Sequence, residues 1–384
     1  MKDDFSIKTK IYRELKRLLL QFINLPKYIF QYFFNNIYYA FWLDKKKTLS
    51  QGKLPFGKKI AIFLILPNKG LTSSHKKTIN HLIKKGFTPL IVSNIQLSGE
   101  DKNTLIEISN FLIQRPNFGY DFGGYRDGIL HIQKKLHSLE SLVLINDSCW
   151  FPVNKDQNRD WLDFVNNSNL DFIGASSHFG FKKPSFKKAL NKLSELDYNF
   201  TSTSKNFHYA SFALAISNKI LKDPSFLKYW KTLKLSGKKN IVVRRGEIGL
   251  TQWVLNKQSY THGSLLDLSS FPEILEKCSV DELSNIVRNL IVENNKLLKL
   301  KNFYISNLDL LSKLELINLI MFNISRYNIA YSMADYIINN LDFPFFKKII
   351  FKLNKDSAEL GLKIAKEKNL EEEVKSNTDL NLYL

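Results

Sequence analysis

Two stretches of this chain carry residue types whose spacing can do chemistry. The first is Arg115-Pro116-Asn117-Phe118-Gly119-Tyr120-Asp121-Phe122-Gly123-Gly124-Tyr125-Arg126-Asp127-Gly128. It follows a short apolar run, residues 111–113, and leads into Tyr125, Ile129, Ile132 and Leu136, which recur at helical spacing. Four glycines beside an Asn, two Asp and two Arg therefore sit at a strand-to-helix junction. Glycine lets a backbone approach a ligand closely, and a helix start offers unpaired N–H groups to phosphate. The second stretch is Leu142-Val143-Leu144-Ile145-Asn146-Asp147-Ser148, an apolar strand that ends abruptly in a carboxylate. Together they point to a site for a phosphorylated, metal-bound ligand at the strand ends of an α/β sheet.

The elements that must position these residues are legible around them. Residues 60–66 read as a buried strand. Residues 74–85 read as a helix with Ile79, Leu82 and Ile83 inward and Gly86 as its stop. Further strands are expected at 88–92, 111–113, 142–145, 172–175 and 207–216, with helices at 105–108 and 247–255. Strands alternating with helices imply a mostly parallel sheet. After Ser270 the pattern becomes helical over 281–300, 308–327 and 330–338, and Glu371 to Glu373 reads as an acidic run in a solvated tail. The expected division is residues 1–57, a basic helical segment; 58–270, the α/β domain; and 271–384, an all-helical region in which no catalytic constellation is visible.

Composition narrows the class. Hydrophobic residues at 44% and aromatics at 13% are ample for a packed core. The two cysteines, Cys149 and Cys278, exclude a disulfide framework and fit a reducing cytoplasm. Cys149 reads as a buried small apolar residue before it reads as a catalytic thiol. A net charge of +20 favours anionic partners, or else reflects a lysine-rich and asparagine-rich composition. No zinc-finger spacing, RNP-type strand or basic zipper accompanies the charge, so a nucleic-acid partner is not expected. Up to Lys58 the chain has 12 basic and 4 acidic residues. Ile11, Leu15, Leu18, Leu19, Phe22 and Ile23 form one helical face, Pro26 ends or kinks that helix, and aromatics crowd from Tyr28 to Trp42 before Lys45-Lys46-Lys47. Polar residues interrupt this stretch too often for a good bilayer span. It reads either as a segment for an anionic membrane interface or as a helical hairpin packed on the domain.

The two motifs resemble those of the rhamnan synthesis protein F family of bacterial polysaccharide assembly. Its Asn-x-Gly-x-Asp-x-Gly-(Gly/Ala) turn matches Asn117 to Gly124, and its strand ending Asn-Asp-Ser matches Leu142 to Ser148. Its Ser-aromatic strand matches His208-Tyr209-Ala210-Ser211-Phe212, and its Glu-x-Gly-Leu-(Ser/Thr)-Gln segment matches Glu247 to Gln252. The resemblance covers roughly residues 58–265. Gly246 departs from the aromatic expected before Glu247.

What the resemblance implies is a GT-A-like glycosyltransferase fold, a Rossmann-type mixed sheet with helices on both faces. The implied activity is sugar transfer, rhamnose from dTDP-rhamnose being the suggested donor, to a glycan or lipid-linked glycan acceptor, in the cytoplasm at the inner membrane. In that frame Asp147 coordinates Mg2+ or Mn2+ on the donor diphosphate, or caps the next turn. Asn117, Gly119, Asp121, Gly123, Gly124 and Asn146 contact the donor, with Asp121 as an N-cap for the alternative. Arg126 and Asp127 face the site or form a surface pair. Glu247 is the general base of an inverting transfer, with Asp121 the next carboxylate in line and Arg244 and Arg245 gripping the diphosphate. His75 and His208 read as packing residues before ligands. The rival from another class is a catalytically silent, glycosyltransferase-like scaffold.

Overall fold

The structure is a computed structural model that describes residues 7–153, 159–178, 204–293 and 295–377. The first six residues of the expected N-terminal segment and the last seven of the expected tail lie outside them.

Four apolar runs form the parallel half of one large sheet: β2 (Lys59–Ile65), β3 (Thr88–Ser93), β4 (Phe111–Gln114) and β5 (Ser141–Asn146). They lie in the order β4-β3-β2-β5. Nearly every residue in them is buried, as strands covered on both faces require. Helix α2 (Ser73–Lys84) covers one face, where His75 meets the Phe63 ring. Helix α4 (Tyr120–His131) covers the other, with Gly124 against Leu64 and Gly128 against Ile62. The short helix α3 (Gly99–Glu107) links β3 to β4 and begins six residues before the stretch expected there.

The later half is mixed. After the two-residue strand β6 (Cys149–Trp150) and helix α5 (Trp161–Asn167) come β7 (Phe172–His178), β8 (His208–Tyr209), β9 (Ala213–Ser217) and β10 (His262–Leu266). Strand β9 runs antiparallel between β5 and β7, and β10 runs parallel to β7. A parallel half-Rossmann followed by a mixed sheet is the layout implied by the resemblance.

Three features depart from expectation. Strand β1 (Thr48–Gln51) pairs antiparallel with β4, so the sheet takes in residues from the segment expected to be helical. Helix α1 (Ile7–Tyr38) runs straight through Pro26 as one long helix rather than a hairpin. Most of its described apolar side chains face solvent, among them Leu18, Phe22, Ile23 and Phe33. It is held at its far end, where Tyr39 is buried.

The C-terminal region is not all helical. Its helices, including Val280–Arg288 and Lys313–Ile324, begin with capping boxes at Ser279/Glu282 and Ser312/Glu315. Beyond them strand β11 (Phe346–Lys347) pairs antiparallel with β6. Glu371 to Glu373 open a final helix, Glu371–Asn377, where carboxylates suit the N-terminal dipole, and Val374 is buried.

Candidate active site

Strand order decides where a ligand binds. The chain moves outward from β2 through β3 to β4, then returns to add β5 on the other side of β2. The loops leaving β2 and β5 therefore diverge and open a crevice at the C-terminal strand ends. A cleft of about 840 Å³ lies there. Its floor includes Leu66 and the following loop, Asp147 after β5, Tyr120 to Phe122 at the start of α4, Ala210 to Phe212 before β9, and Glu247.

Asp147 sits at the strand end, as expected. Its Oδ2 accepts from the Leu66 N–H at 2.7 Å and lies 3.2 Å from His75 Nε2. The Thr72 N–H donates to His75 Nδ1, which assigns the ring proton to Nε2 and makes His75 the donor to Asp147. Burial opposes ionisation of Asp147, but the His75 hydrogen bond, the Lys348 ammonium and the Leu66 N–H outweigh it and hold the carboxyl below its ordinary range. His75 is thus a site residue, fixed by a capping box at the start of α2.

Asp121 and Glu247 come together through Ser211. The Ser211 Oγ donates to Asp121 Oδ2 at 3.1 Å, and its backbone N–H donates to Glu247 Oε1 at 2.7 Å. Burial and the neighbouring Glu247 charge push the Asp121 carboxyl up to about 6, against the opposing pull of Lys347 and the Ser211 hydroxyl. Glu247 does not begin a helix. It lies in a widened π-type turn, Val243–Ile248, inside a helical run that continues through Gly249–Leu255. Such turns interrupt an α-helix where a side chain must be redirected. Gly246 stands where a Cβ would strike the Phe122 ring at 2.3 Å, so the departure from an aromatic makes room for an aromatic from α4.

Other expected site residues lie elsewhere, for identifiable reasons. Asn117 is exposed and outside the cleft lining. Gly119 takes φ +81° at the N-cap of α4, a left-handed turn that suits glycine. A Cβ on Gly123 would meet the Phe118 carbonyl at 2.1 Å, and one on Gly124 would meet Leu64 at 2.3 Å. These glycines are required by the turn and by the seating of α4 on β2. Asn146 is buried, and its Oδ1 accepts from the Ser148 N–H to shape the turn that presents Asp147. Arg126 donates to the Trp230 and Lys231 carbonyls at the end of helix Pro224–Thr232. Arg245 donates to the Lys234 carbonyl, and Arg244 is exposed; neither lines the cleft.

Asp127 belongs to a buried network on the far side of α4. Arg115, fully buried, donates through Nε to Asp127 Oδ2 at 2.7 Å, through Nη1 to Asn94 Oδ1 and through Nη2 to the Phe118 carbonyl. The Tyr39 hydroxyl also donates to Asp127, and its ring stacks on Phe118 at 5.7 Å. Lys47 completes the charge balance 3.5 Å from Asp127 Oδ1. The network fastens the end of α1 to the sheet.

Residues that the motifs did not reveal complete the cleft. Strand β11, almost two hundred positions further along, brings Lys347, and Lys348 directly after it, to the rim beside Ser148. The Lys347 Nζ donates to Ser148 Oγ at 3.1 Å and rests 3.9 Å from the Phe212 ring centroid. Among the described residues no group of three or more His, Cys, Asp or Glu side chains could hold a metal ion. With one oxygen of Asp147 already committed and two ammonium groups close by, the donor set does not fit a cation held by the protein.

Fold and cleft together define an α/β protein with a crevice at its switch point that is lined by carboxylates and lysines. Residues 90–381 match the model of the family described as Rhamnan synthesis protein F, and the chain belongs to that family. The match continues through the C-terminal region, well beyond residue 265, where the recognisable motifs stop. The uncharacterized protein y4gN of Sinorhizobium fredii is 34% identical over 244 residues, 64% of this chain and 58% of that protein. The chain thus spans less than two thirds of that relative's length. A solved structure of core-mannan synthase A from Aspergillus fumigatus, in a Mn/GDP form, aligns with 48% of this chain and 66% of its own. At 12% identity and a TM-score of 0.26 that likeness is slight.

Proposed function

We propose that the protein is a glycosyltransferase that moves a sugar from a nucleoside-diphosphate donor to a hydroxyl of a glycan or lipid-linked glycan, with inversion. The observation that carries this reading is the meeting of Asp121 and Glu247 across Ser211, in the same crevice as Asp147. In the reaction the acceptor oxygen bonds to the anomeric carbon as the bond from that carbon to the β-phosphate oxygen breaks. The electron pair leaves with the diphosphate, and the acceptor proton passes to a carboxylate. Glu247 is that base: its Oε1 is fixed by the Ser211 N–H, and its other oxygen remains for the acceptor. Asp121 holds Ser211 and, near neutral pH, lies close to its own titration. Asp147 orients His75 at the crevice floor.

Family membership supports polysaccharide synthesis as the setting, and dTDP-rhamnose is the first donor to try. The catalytically silent scaffold is the second reading, favoured by the lack of a metal-holding group among the described residues. A desolvated pair of carboxylates facing an open crevice is what that reading leaves unexplained.

The exposed apolar side chains of α1 support attachment to an anionic membrane surface as part of this reading. No described helix is long and apolar enough to cross a membrane. Exposed Leu18, Phe22, Phe33, Phe41 and Trp42, with flanking lysines, suit an interfacial helix.

The deciding experiment incubates the protein with dTDP-rhamnose and other nucleoside-diphosphate sugars plus a glycan acceptor, and measures nucleoside diphosphate release. Parallel runs in EDTA, Mg2+ and Mn2+ read whether transfer requires a cation. Release dependent on acceptor and lost in Glu247→Gln supports transfer; binding without release from any donor supports the scaffold.

A further inference from the structure

We propose that Lys347, which ends β11, and Lys348, directly after it, bind the donor diphosphate and neutralise it as it leaves. The proposal rests on the glycosyltransferase reading and assigns a part of it to the C-terminal region.

Three observations carry it. First, the lysines are placed by backbone structure, not by chance side-chain reach. Strand β11 pairs with β6, Lys347 opposite Cys149, and the Lys348 N–H bonds to the Ser148 carbonyl. The segment that follows Asp147 is therefore tied directly to the segment that carries both lysines.

Second, the Lys347 ammonium forms no ion pair with a carboxylate among the described residues. It rests on a hydroxyl and an aromatic face, Ser148 and Phe212, both of which line the cleft. A structural lysine near Asp121 and Asp147 would close on one of them. This one stays on Ser148 and Phe212, where a diphosphate can take its remaining N–H donors. Lys348 lies alongside, over the Trp150 ring at 5.4 Å.

Third, the leaving diphosphate must be met by positive charge, because its departure concentrates negative charge on the β-phosphate. The cleft's carboxylates, Asp121, Asp147 and Glu247, repel it. Among the described residues there is no metal-holding group of three; the Lys348 charge acts on Asp147 and the Lys347 charge on Asp121. Two ammonium groups in a partly desolvated site supply the charge of one divalent cation.

The test uses the full chain and calorimetric binding of inorganic pyrophosphate, dTDP, UDP and GDP, in EDTA and again in Mg2+. Lys347→Met and Lys348→Met are compared with Lys347→Arg, and thermal unfolding verifies that each variant is folded. Binding by the wild-type protein in EDTA is expected. Lys347→Met should weaken pyrophosphate and the best nucleoside diphosphate by roughly tenfold or more, the scale of one charge-assisted contact, with Lys347→Arg largely restoring it. If the wild type binds a nucleoside diphosphate and both Met variants bind it equally well, the lysine assignment is overturned while the donor class stands. If the wild type binds neither pyrophosphate nor any nucleoside diphosphate, in EDTA or Mg2+, both the assignment and the transferase reading fall.

Discussion

Asp121 and Glu247, 126 positions apart in the chain, are joined through a single residue: one accepts the Ser211 hydroxyl and the other the Ser211 backbone N–H. Each therefore constrains the other. The backbone bond fixes Glu247 whatever its neighbour does, while Asp121 bears the cost of sharing a desolvated site with a second carboxylate.

That cost has a sign that can be measured. The Asp121 carboxyl is raised from 3.8 to about 6 in the folded protein. Between those values the folded state binds more protons than the unfolded one, so this group's contribution to stability is full below pH 3.8 and is lost as pH rises through about 6. Asp121→Asn should consequently unfold at a higher temperature than wild type at pH 7 to 8, with the difference vanishing at pH 4. A melting-temperature difference independent of pH would place the strain elsewhere.

Glu247→Gln should keep the fold and donor binding and lose transfer by about a hundredfold or more. The amide oxygen still accepts from the Ser211 N–H, so geometry is kept and only proton acceptance is removed. Parallel measurement of donor affinity and turnover checks this. Equal losses in both would make Glu247 a positioning residue.

Gly123→Ala should destabilise the protein by about 1–3 kcal/mol, because the new methyl meets the Phe118 carbonyl and must displace α4 or its turn. Denaturant titration gives the value. At temperatures where the variant is folded, nucleotide affinity should stay within a few-fold of wild type. A stable variant with abolished affinity would return the glycine turn to the ligand.

Arg115→Met should cost about 3–5 kcal/mol, since it leaves Asp127 buried without its principal partner. The double variant with Asp127→Leu should recover part of that loss. Urea unfolding of the two variants checks the order; a double variant as unstable as the sum of the single changes would show that the pair does not interact as drawn.

Removing residues 1–36 should abolish sedimentation with anionic vesicles while leaving the melting temperature within a few degrees of wild type. The full chain's binding should weaken with salt but persist, since each basic residue contributes roughly 1 kcal/mol that is screened and the apolar side chains are not. A longer deletion through Lys47 should also destabilise the domain, because it takes away Tyr39 and the Lys47 charge beside Asp127. Undiminished pelleting of the shorter deletion would move the membrane surface to another part of the chain.

The parallel half of the sheet was readable because strands covered on both faces leave uninterrupted apolar runs, such as residues 60–65, and Asp147 stood out by ending one. The glycine turn was readable as a turn, and of its expected site residues Asp121 lines the cleft while Asn117 and the glycines do not. Close backbone approach demands glycine whether the neighbour is a phosphate or, as with Gly124, the side chain of Leu64. Arg126 and Asp127 share that turn, but helical rotation points them to the opposite side from Asp121. The lysines of β11 had no local signal at all. Among 56 basic residues, Lys347 and Lys348 look like any solvated pair. Only the pairing of β11 with β6, which no spacing in the sequence announces, makes them part of the cleft.

That ladder also sets a schedule. Lys347 and its partner Ser148 lie 199 positions apart. A chain emerging from the ribosome can assemble its parallel strands, seat α4 and expose all three carboxylates long before β11 exists. From Glu247, the last of these carboxylates, to Lys347 is a further hundred residues, which at typical synthesis rates of roughly 5–20 residues per second takes roughly 5–20 seconds. During that interval the crevice lacks Lys347 and Lys348 at its rim. Only when the last quarter of the chain docks are they in place, so the part in donor binding proposed for them is a late event of biosynthesis.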